Sequence, residues 1–143
     1  MLTQVIYIST ATYPFTDNDL KALLSVARRR NEALGLSGLL LYANGSFMQL
    51  LEGPKDAVDA CLDKIRRDPR HTGINMLVRT EIAEREFAEW SMGFHRIAPE
   101  DSERLPGYAP VFEAGFREES LSRLSDGGLS LLQALARDCV APH

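Results

Sequence analysis

Three polar side chains lie in apolar surroundings where they could do chemistry: Tyr7, Asn31 and Gln49. Tyr7 falls in Gln4-Val5-Ile6-Tyr7-Ile8-Ser9, whose β-branched and aromatic alternation predicts a strand with Val5, Tyr7 and Ser9 on one face. A strand tyrosine ordinarily packs its ring and leaves its hydroxyl at the rim. Gln49 shares a strand face with Phe47 and Leu51, while Met48 and Leu50 make the other face apolar too. An amide buried there must find hydrogen-bond partners or cost roughly 1–3 kcal/mol. A core glutamine satisfied by backbone or water would meet that need without any function. Asn31 ends the apolar face of the first predicted helix, a place where asparagine often serves as a cap because it tolerates the left-handed conformation. Together with Tyr7 and Gln49 it also supplies a third polar group aimed at the helix-facing side of the sheet. Arg70-His71 follows a second predicted helix, where a solvated loop is the plain expectation, although an arginine beside a helix end can also grip phosphate in a bidentate manner. Trp90 and Met92 read as core residues.

The elements that must hold these groups are set by spacing. Thr16 and Asp19 form a capping-box pattern, and Leu20, Leu23, Leu24, Ala27 and Asn31 recur at helical spacing as far as the Arg28-Arg29-Arg30 run, which suits a helix C-terminus. Asn44-Gly45 between Leu39–Tyr42 and Ser46–Leu51 predicts a hairpin, because both turn residues accept positive φ. Pro54 suits a first helical turn, and Val58, Cys61, Leu62 and Ile65 then mark a second amphipathic helix that closes at Asp68-Pro69. A fourth strand is predicted from Ile74 to Val78, with room to run to Ile82. A fifth covers Trp90 to Phe94, with Trp90, Met92 and Phe94 on one face. The order β-α-β-β-α-β-β predicts an α+β, ferredoxin-like βαββαββ sheet with two helices on one face. After about residue 98 the texture changes, and Leu129, Leu132, Leu135, Ala136 and Cys139 predict a last helix. The division expected is a domain over 1–97 and a C-terminal helical extension over 98–143 that covers the bare sheet face or a partner.

The whole chain bounds what this arrangement can be. Its 143 residues suit one hydrophobic core, and 16 Lys plus Arg against 20 Asp plus Glu leave a net charge of −4, which argues against a nucleic-acid or anionic-membrane footprint. Hydrophobic residues at 45% and charged residues at 25% describe a folded globule. Cys61 and Cys139 lie in no CxxC or Cys/His spacing, so neither a disulfide framework nor a zinc site is expected, and a cytoplasmic location is the simpler reading. No targeting signal or spanning segment is visible. Nucleophile elbows, phosphate-cradling glycine loops and metal-ligand clusters are all missing from the pattern, so no enzyme is expected.

Five fragments in order carry a resemblance: Ile6-Tyr7-Ile8-Ser9, then Arg30-Asn31-Glu32-Ala33-Leu34-Gly35-Leu36-Ser37-Gly38 running on to Tyr42, Phe47-Met48-Gln49-Leu50-Leu51-Glu52-Gly53-Pro54, Asp68-Pro69-Arg70-His71, and Trp90-Ser91-Met92. Over residues 1 to about 97 the chain resembles a BLUF domain, a sensor of blue light that uses FAD. The resemblance implies that the flavin lies between the two helices over the sheet, with Tyr7 and Gln49 as the photoactive hydrogen-bonded pair. It implies that Asn31 holds the ring edge and that Arg30, Arg70 and His71 lie near the phosphate or ring surroundings. Trp90 and Met92 would sit on the strand that changes in light, with Ser9 as a supporting hydroxyl. The residue types suit that chemistry, since an excited flavin is a strong oxidant, tyrosine an oxidisable phenol, and a glutamine amide both donor and acceptor. The resemblance further implies a light-driven electron and proton transfer from Tyr7, its return, and a Gln49 left in a different hydrogen-bonding arrangement with a small red shift.

Two other readings share the fold. An acylphosphatase needs an arginine in the loop after strand one, and Thr10-Ala11-Thr12-Tyr13-Pro14 has none. A ferredoxin-like small-molecule-binding regulatory domain without photochemistry needs no Tyr/Gln pair. With only 46 residues beyond 97 (143 − 97), the expectation is a receptor acting through a downstream protein partner of unknown identity, and forming a homo-oligomer.

Overall fold

The computed structural model describes residues 1–88, 92–108, 112, 113, 115, 116 and 130–135. Its elements run β1 (Leu2–Ala11), α1 (Asp17–Leu34), β2 (Ser37–Ala43), β3 (Ser46–Pro54), α2 (Lys55–Arg67), β4 (His71–Ile82), β5 (Gly93–Arg96), α3 (Pro99–Arg104) and a short 3-10 turn at Pro106–Tyr108. The strands form one sheet in the order β4-β1-β3-β2-β5. β1 pairs antiparallel with both β3 and β4, β2 pairs antiparallel with β3, and β5 lies parallel to β2. This is the ferredoxin-like α+β arrangement predicted from the element order.

Local signals account for much of it. Thr16 accepts a hydrogen bond from the Asp19 amide at 3.1 Å, and the Asp19 carboxylate accepts one from the Thr16 amide at 2.9 Å, closing the capping box that starts α1. Asn44 (φ 47°) and Gly45 (φ 79°) form the β2–β3 turn with positive φ at both positions.

Several boundaries differ from those predicted. α1 continues to Leu34 and stops at Gly35, which takes a left-handed φ of 69° and donates back to the Asn31 and Glu32 carbonyls. Glycine provides the cap, so Asn31 is an interior helical residue and the arginine run lies a turn inside the end. Pro54 closes β3 and precedes α2 with extended backbone (ψ 140°), so it stands outside the helix. β4 starts at His71, paired with Ala11, so His71 is a strand residue and not part of a solvated loop. β5 begins three residues later than expected, because its ladder opens only where Gly93 meets Leu39. Its polar residues extend it because each is satisfied: His95 bonds Asp101 at 2.9 Å, and the Arg96 guanidinium sits 5.6 Å above the Tyr42 ring and pairs with Asp17. Trp90 lies outside the described residues, as do Leu129, Ala136 and Cys139 of the expected last helix.

The central strands are buried on both faces. Val5, Tyr7, Leu40, Phe47 and Leu51 face Leu20, Leu24 and Ala27 of α1 and Val58, Cys61, Leu62 and Ile65 of α2. Ile6, Ile8, Leu39, Leu41, Met48 and Leu50 on the opposite face pack with Phe112, Phe116, Leu131, Leu132 and Leu135. Residues 130–135 are helical, which puts those three leucines on one side of a turn and a half. No described helix is long and apolar enough to cross a membrane.

Asp101 joins β5 to α3. Its buried carboxylate accepts from the Ala98 amide (2.8 Å), Arg104 (2.7 Å) and His95 (2.9 Å). Burial alone would raise its pKa, but these partners outweigh it and hold the carboxyl below its ordinary 3.8. The unfolded chain binds the proton more readily, so the stabilisation is full above 3.8 and is lost as pH falls through the folded value. Asp101→Asn is expected to cost about 1–2 kcal/mol in urea unfolding at neutral pH and progressively less below the carboxylate range. A cost that does not shrink in acid would contradict this account.

Candidate functional site: a phenol and amide pair beneath two helices

Tyr7 and Gln49 are direct cross-strand partners on β1 and β3, both pointing to the helix-covered face. Antiparallel register brings such side chains together without help from a loop. Tyr7 is 1% exposed and Gln49 5%, and the Tyr7 hydroxyl donates to Gln49 Oε1. The other end of the same amide, Nε2, faces Met92 Sδ at 3.7 Å. In the structure the amide oxygen faces the phenol and the nitrogen faces the sulfur. β2 separates β3 from β5 in the sheet, so the Gln49–Met92 contact runs through the side-chain layer above Leu40 rather than along adjacent strands.

Burial pushes the Tyr7 phenol well above its ordinary pKa, reinforced by the neighbouring Cys61 and Asp68 and opposed by Arg30. Tyr7 is therefore a neutral donor whose proton stays on Oη while the ring keeps its electrons. Burial likewise lowers the His71 pKa, against a smaller opposing effect of Asp68, so its ring is neutral near neutral pH. His71 Nδ1 lies 3.0 Å from Ser9 Oγ, tying β4 to β1 at the rim of the site.

A narrow cleft between α1 and α2, with a cavity volume of about 40 Å³, opens over this pair. Tyr7, Ser9, Leu40, Phe47 and Gln49 make its floor, Leu23, Val26, Ala27 and Arg30 of α1 one wall, and Ile65 of α2 the other. Asp68, Arg70 and His71 stand at the far side. Outside the mouth, Arg30, Lys64, Arg67 and Arg70 surround a groove containing one carboxylate, Asp68. Asp68 holds Arg70 through Nε (3.0 Å) and Nη2 (2.6 Å), which presets the guanidinium plane.

Of the sequence-predicted residues, Tyr7, Ser9, Arg30, Gln49, Arg70 and His71 meet at this cleft. Asn31 is fully buried on α1, one residue beyond Arg30, and is not among the residues lining the cleft. Met92 reaches the site through Gln49.

The residues suit a planar heteroaromatic group with a phosphate-bearing tail. The floor is apolar and aromatic, an amide and a phenol offer edge hydrogen bonds, and the mouth is basic. One observation favours a missing polar partner: the Arg30 Nε atom is buried and has no hydrogen-bond partner among the described residues.

Two contributors escaped the sequence reading. Glu52, fully buried on β3, accepts from Gln4 Nε2 (3.1 Å) and from the Glu86 and Phe87 amides (2.9 and 2.8 Å), fastening the chain that leads toward β5. Arg85 binds the Gly35 carbonyl (2.6 Å) and Ser37 Oγ (3.0 Å) beside it. The one available signal was a lone carboxylate at position 52 in an apolar strand.

A ferredoxin-like sheet carrying a buried phenol–amide pair under an aromatic, base-rimmed cleft defines a cofactor-binding sensory module. The family model for sensors of blue light using FAD matches residues 2–93, and the chain belongs to this family, BLUF. Its cofactor is FAD and its function is blue-light sensing. The chain is 49% identical over 92 residues to photoactivated adenylate cyclase subunit beta of Euglena longa, a match covering 64% of this chain and 11% of that protein. It thus spans about a tenth of the length of that curated relative. Among solved structures, BlrB, a BLUF protein in its dark state, superposes with a TM-score of 0.68 at 28% identity, covering 85% of this chain and 89% of BlrB. The ground state of BlsA gives 0.71 at 27% identity, covering 89% and 87%.

Proposed function

We propose that Tyr7 and Gln49 are the photoactive pair of this blue-light receptor, and that Met92 is the first residue outside the pair to register the change. The observation that supports this reading is the continuous buried line from Tyr7 Oη through the Gln49 amide to Met92 Sδ beneath the cleft. Arg30, Arg70, His71 and Asn31 hold the cofactor: Arg30 and Arg70 by charge at the basic mouth, His71 as a neutral ring at the rim, and Asn31 at the ring edge. When bound, FAD supplies blue-light absorption and a strong oxidant in its excited state.

The side chains supply the rest. Tyr7 is too weak an acid to lose its proton from the neutral ring, so Oη releases it only when the ring is electron-poor and takes it back when the electron returns. Gln49, the hydrogen-bond partner of Oη, carries an amide that both accepts and donates. During that excursion its amide turns, exchanging which end faces the phenol and which faces Met92. Met92 adjoins β5, and β5 is fastened to α3 by His95–Asp101, which gives the change a route to residues 98–143. We assign Trp90 and Ser9 to the same relay, Ser9 through its bond to His71. The domain division is 1–97 for the sensor and 98–143 for the extension.

In this proposal the domain catalyses nothing itself and signals to a downstream protein, with self-association into a homo-oligomer and a cytoplasmic location. Relatives described as adenylate cyclase subunits are consistent with an effector of that kind. The test is optical: purified protein should be yellow, release FAD on denaturation, and show a reversible red shift under blue light. Colourless protein that cannot be loaded with FAD would favour a regulatory domain without photochemistry. Pull-downs and size-exclusion runs compared in dark and light then test the partner and the assembly.

A further inference from the structure

Met92 can report the state of Gln49 only if something fixes where Met92 sits. The sheet does not do so, because the β2–β5 ladder begins one residue later, at Gly93 and Leu39. The restraint comes from a helix. Arg28 Nε of α1 donates to the Met92 carbonyl oxygen at 3.0 Å, across 64 residues of sequence. The Met92 side chain is fully buried, and its sulfur meets Gln49 Nε2. A guanidinium bonded to a carbonyl is a charge-assisted contact with a fixed plane, stronger and more directional than a neutral hydrogen bond.

We propose that Arg28 is a positioning residue of the light switch, clamping the Met92 backbone so that the Gln49 amide can turn only against a restrained thioether. This rests on the reading of Gln49 as the switching amide. In the arrangement seen, an amide N–H points at the sulfur. After the amide turns, an oxygen points there instead, and two electron-rich atoms repel. With the Met92 carbonyl held, the strain must be met by side-chain torsions of Met92. Without the clamp, the Met92 backbone also gives way as the amide passes the thioether, so the crowded transition state is relieved more than either end state and the barrier falls in both directions. Arg28 does not line the cleft, so its contribution is to timing rather than to cofactor retention.

The experiment measures thermal dark recovery of the red-shifted form in FAD-loaded full-length protein. Arg28→Leu is expected to speed recovery by about tenfold, equivalent to about 1.4 kcal/mol off the barrier. Arg28→Lys, which keeps a charged donor, should lie closer to the native rate. In a Met92→Leu background, which removes the sulfur but keeps the carbonyl, the acceleration caused by Arg28→Leu should disappear. Should Arg28→Leu fail to fold, Arg28→Gln replaces it in the same cycle.

Recovery changed by less than about threefold, or an equal acceleration with and without the Met92 sulfur, overturns the proposal, since coupled groups show non-additive effects. Failure of the underlying reading looks different: native protein without a red shift, or Gln49→Leu with a normal one, removes Gln49 from the switch whatever Arg28 does.

Discussion

Gln49→Leu is expected to yield a folded, yellow protein whose absorption no longer shifts under blue light. Leucine nearly matches glutamine in volume and suits a position walled by Leu40 and Phe47. The substitution removes the acceptor of the Tyr7 hydroxyl and the donor facing Met92 Sδ together. Leaving the Tyr7 hydroxyl unsatisfied costs about 1–3 kcal/mol, a loss a domain of this size survives. The cofactor keeps the helix walls and the basic mouth, which the substitution does not touch. Tyr7→Phe removes the same bond from the other end and deletes the phenol, so the red-shifted form should again not accumulate. Light-minus-dark difference spectra, with FAD content measured by release on denaturation, check both variants. A native shift in both refutes the assignment. Loss of FAD from both would mean that the pair is needed for binding as well as switching.

Glu52→Ala is expected to be the most destabilising single change away from the pair. The carboxylate is fully buried and satisfies three donors from two separated segments: Gln4 on β1, and the Glu86 and Phe87 amides after β4. Truncation strands those donors and leaves a void, and several stranded buried donors at about 1–3 kcal/mol each, with the cavity added, bring the cost to about 3–5 kcal/mol. For a domain of this length that lowers Tm by roughly 10 °C. Glu52→Gln keeps one acceptor oxygen and the side-chain volume, so it should cost about half as much. Thermal unfolding of the holoprotein ranks the variants, and amide exchange at Glu86 and Phe87 locates the damage. Equal stability of native and Glu52→Ala protein would show that the segment is held elsewhere, Arg85 being the nearest alternative through its bonds to Gly35 and Ser37.

What could be read from the sequence was set largely by the range of the interaction. The Thr16/Asp19 box and the Asn44-Gly45 turn are decided within four residues, and both stand as predicted. The end of α1 was misplaced because Asn31 and Gly35 are both cap formers one turn apart, and the stronger one, Gly35, wins at positive φ. Tyr7 and Gln49 stood out as polar residues in apolar strands, yet only the antiparallel register makes them neighbours. Arg28 and Arg85 gave no signal at all, since arginines on a helix or in a loop are ordinary and their carbonyl partners lie 64 and 50 residues away. β5 was displaced because alternation at Trp90, Met92 and Phe94 continues the strand pattern, whereas the ladder depends on where β2 offers a partner.

The sheet that carries Tyr7 and Gln49 is clothed on both sides, and the two sides share no side chains. It therefore works as a partition: the photochemical layer and the layer built by Phe112, Phe116 and residues 131–135 are insulated by three strands buried throughout most of their length. On the route proposed above, the change passes around the β5 edge and not through the wall. Substitutions that re-dress the far face are therefore expected to leave the colour of the protein alone, while substitutions in the near layer tune colour and lifetime. Such independence lets one sensing layer be joined to very different outputs.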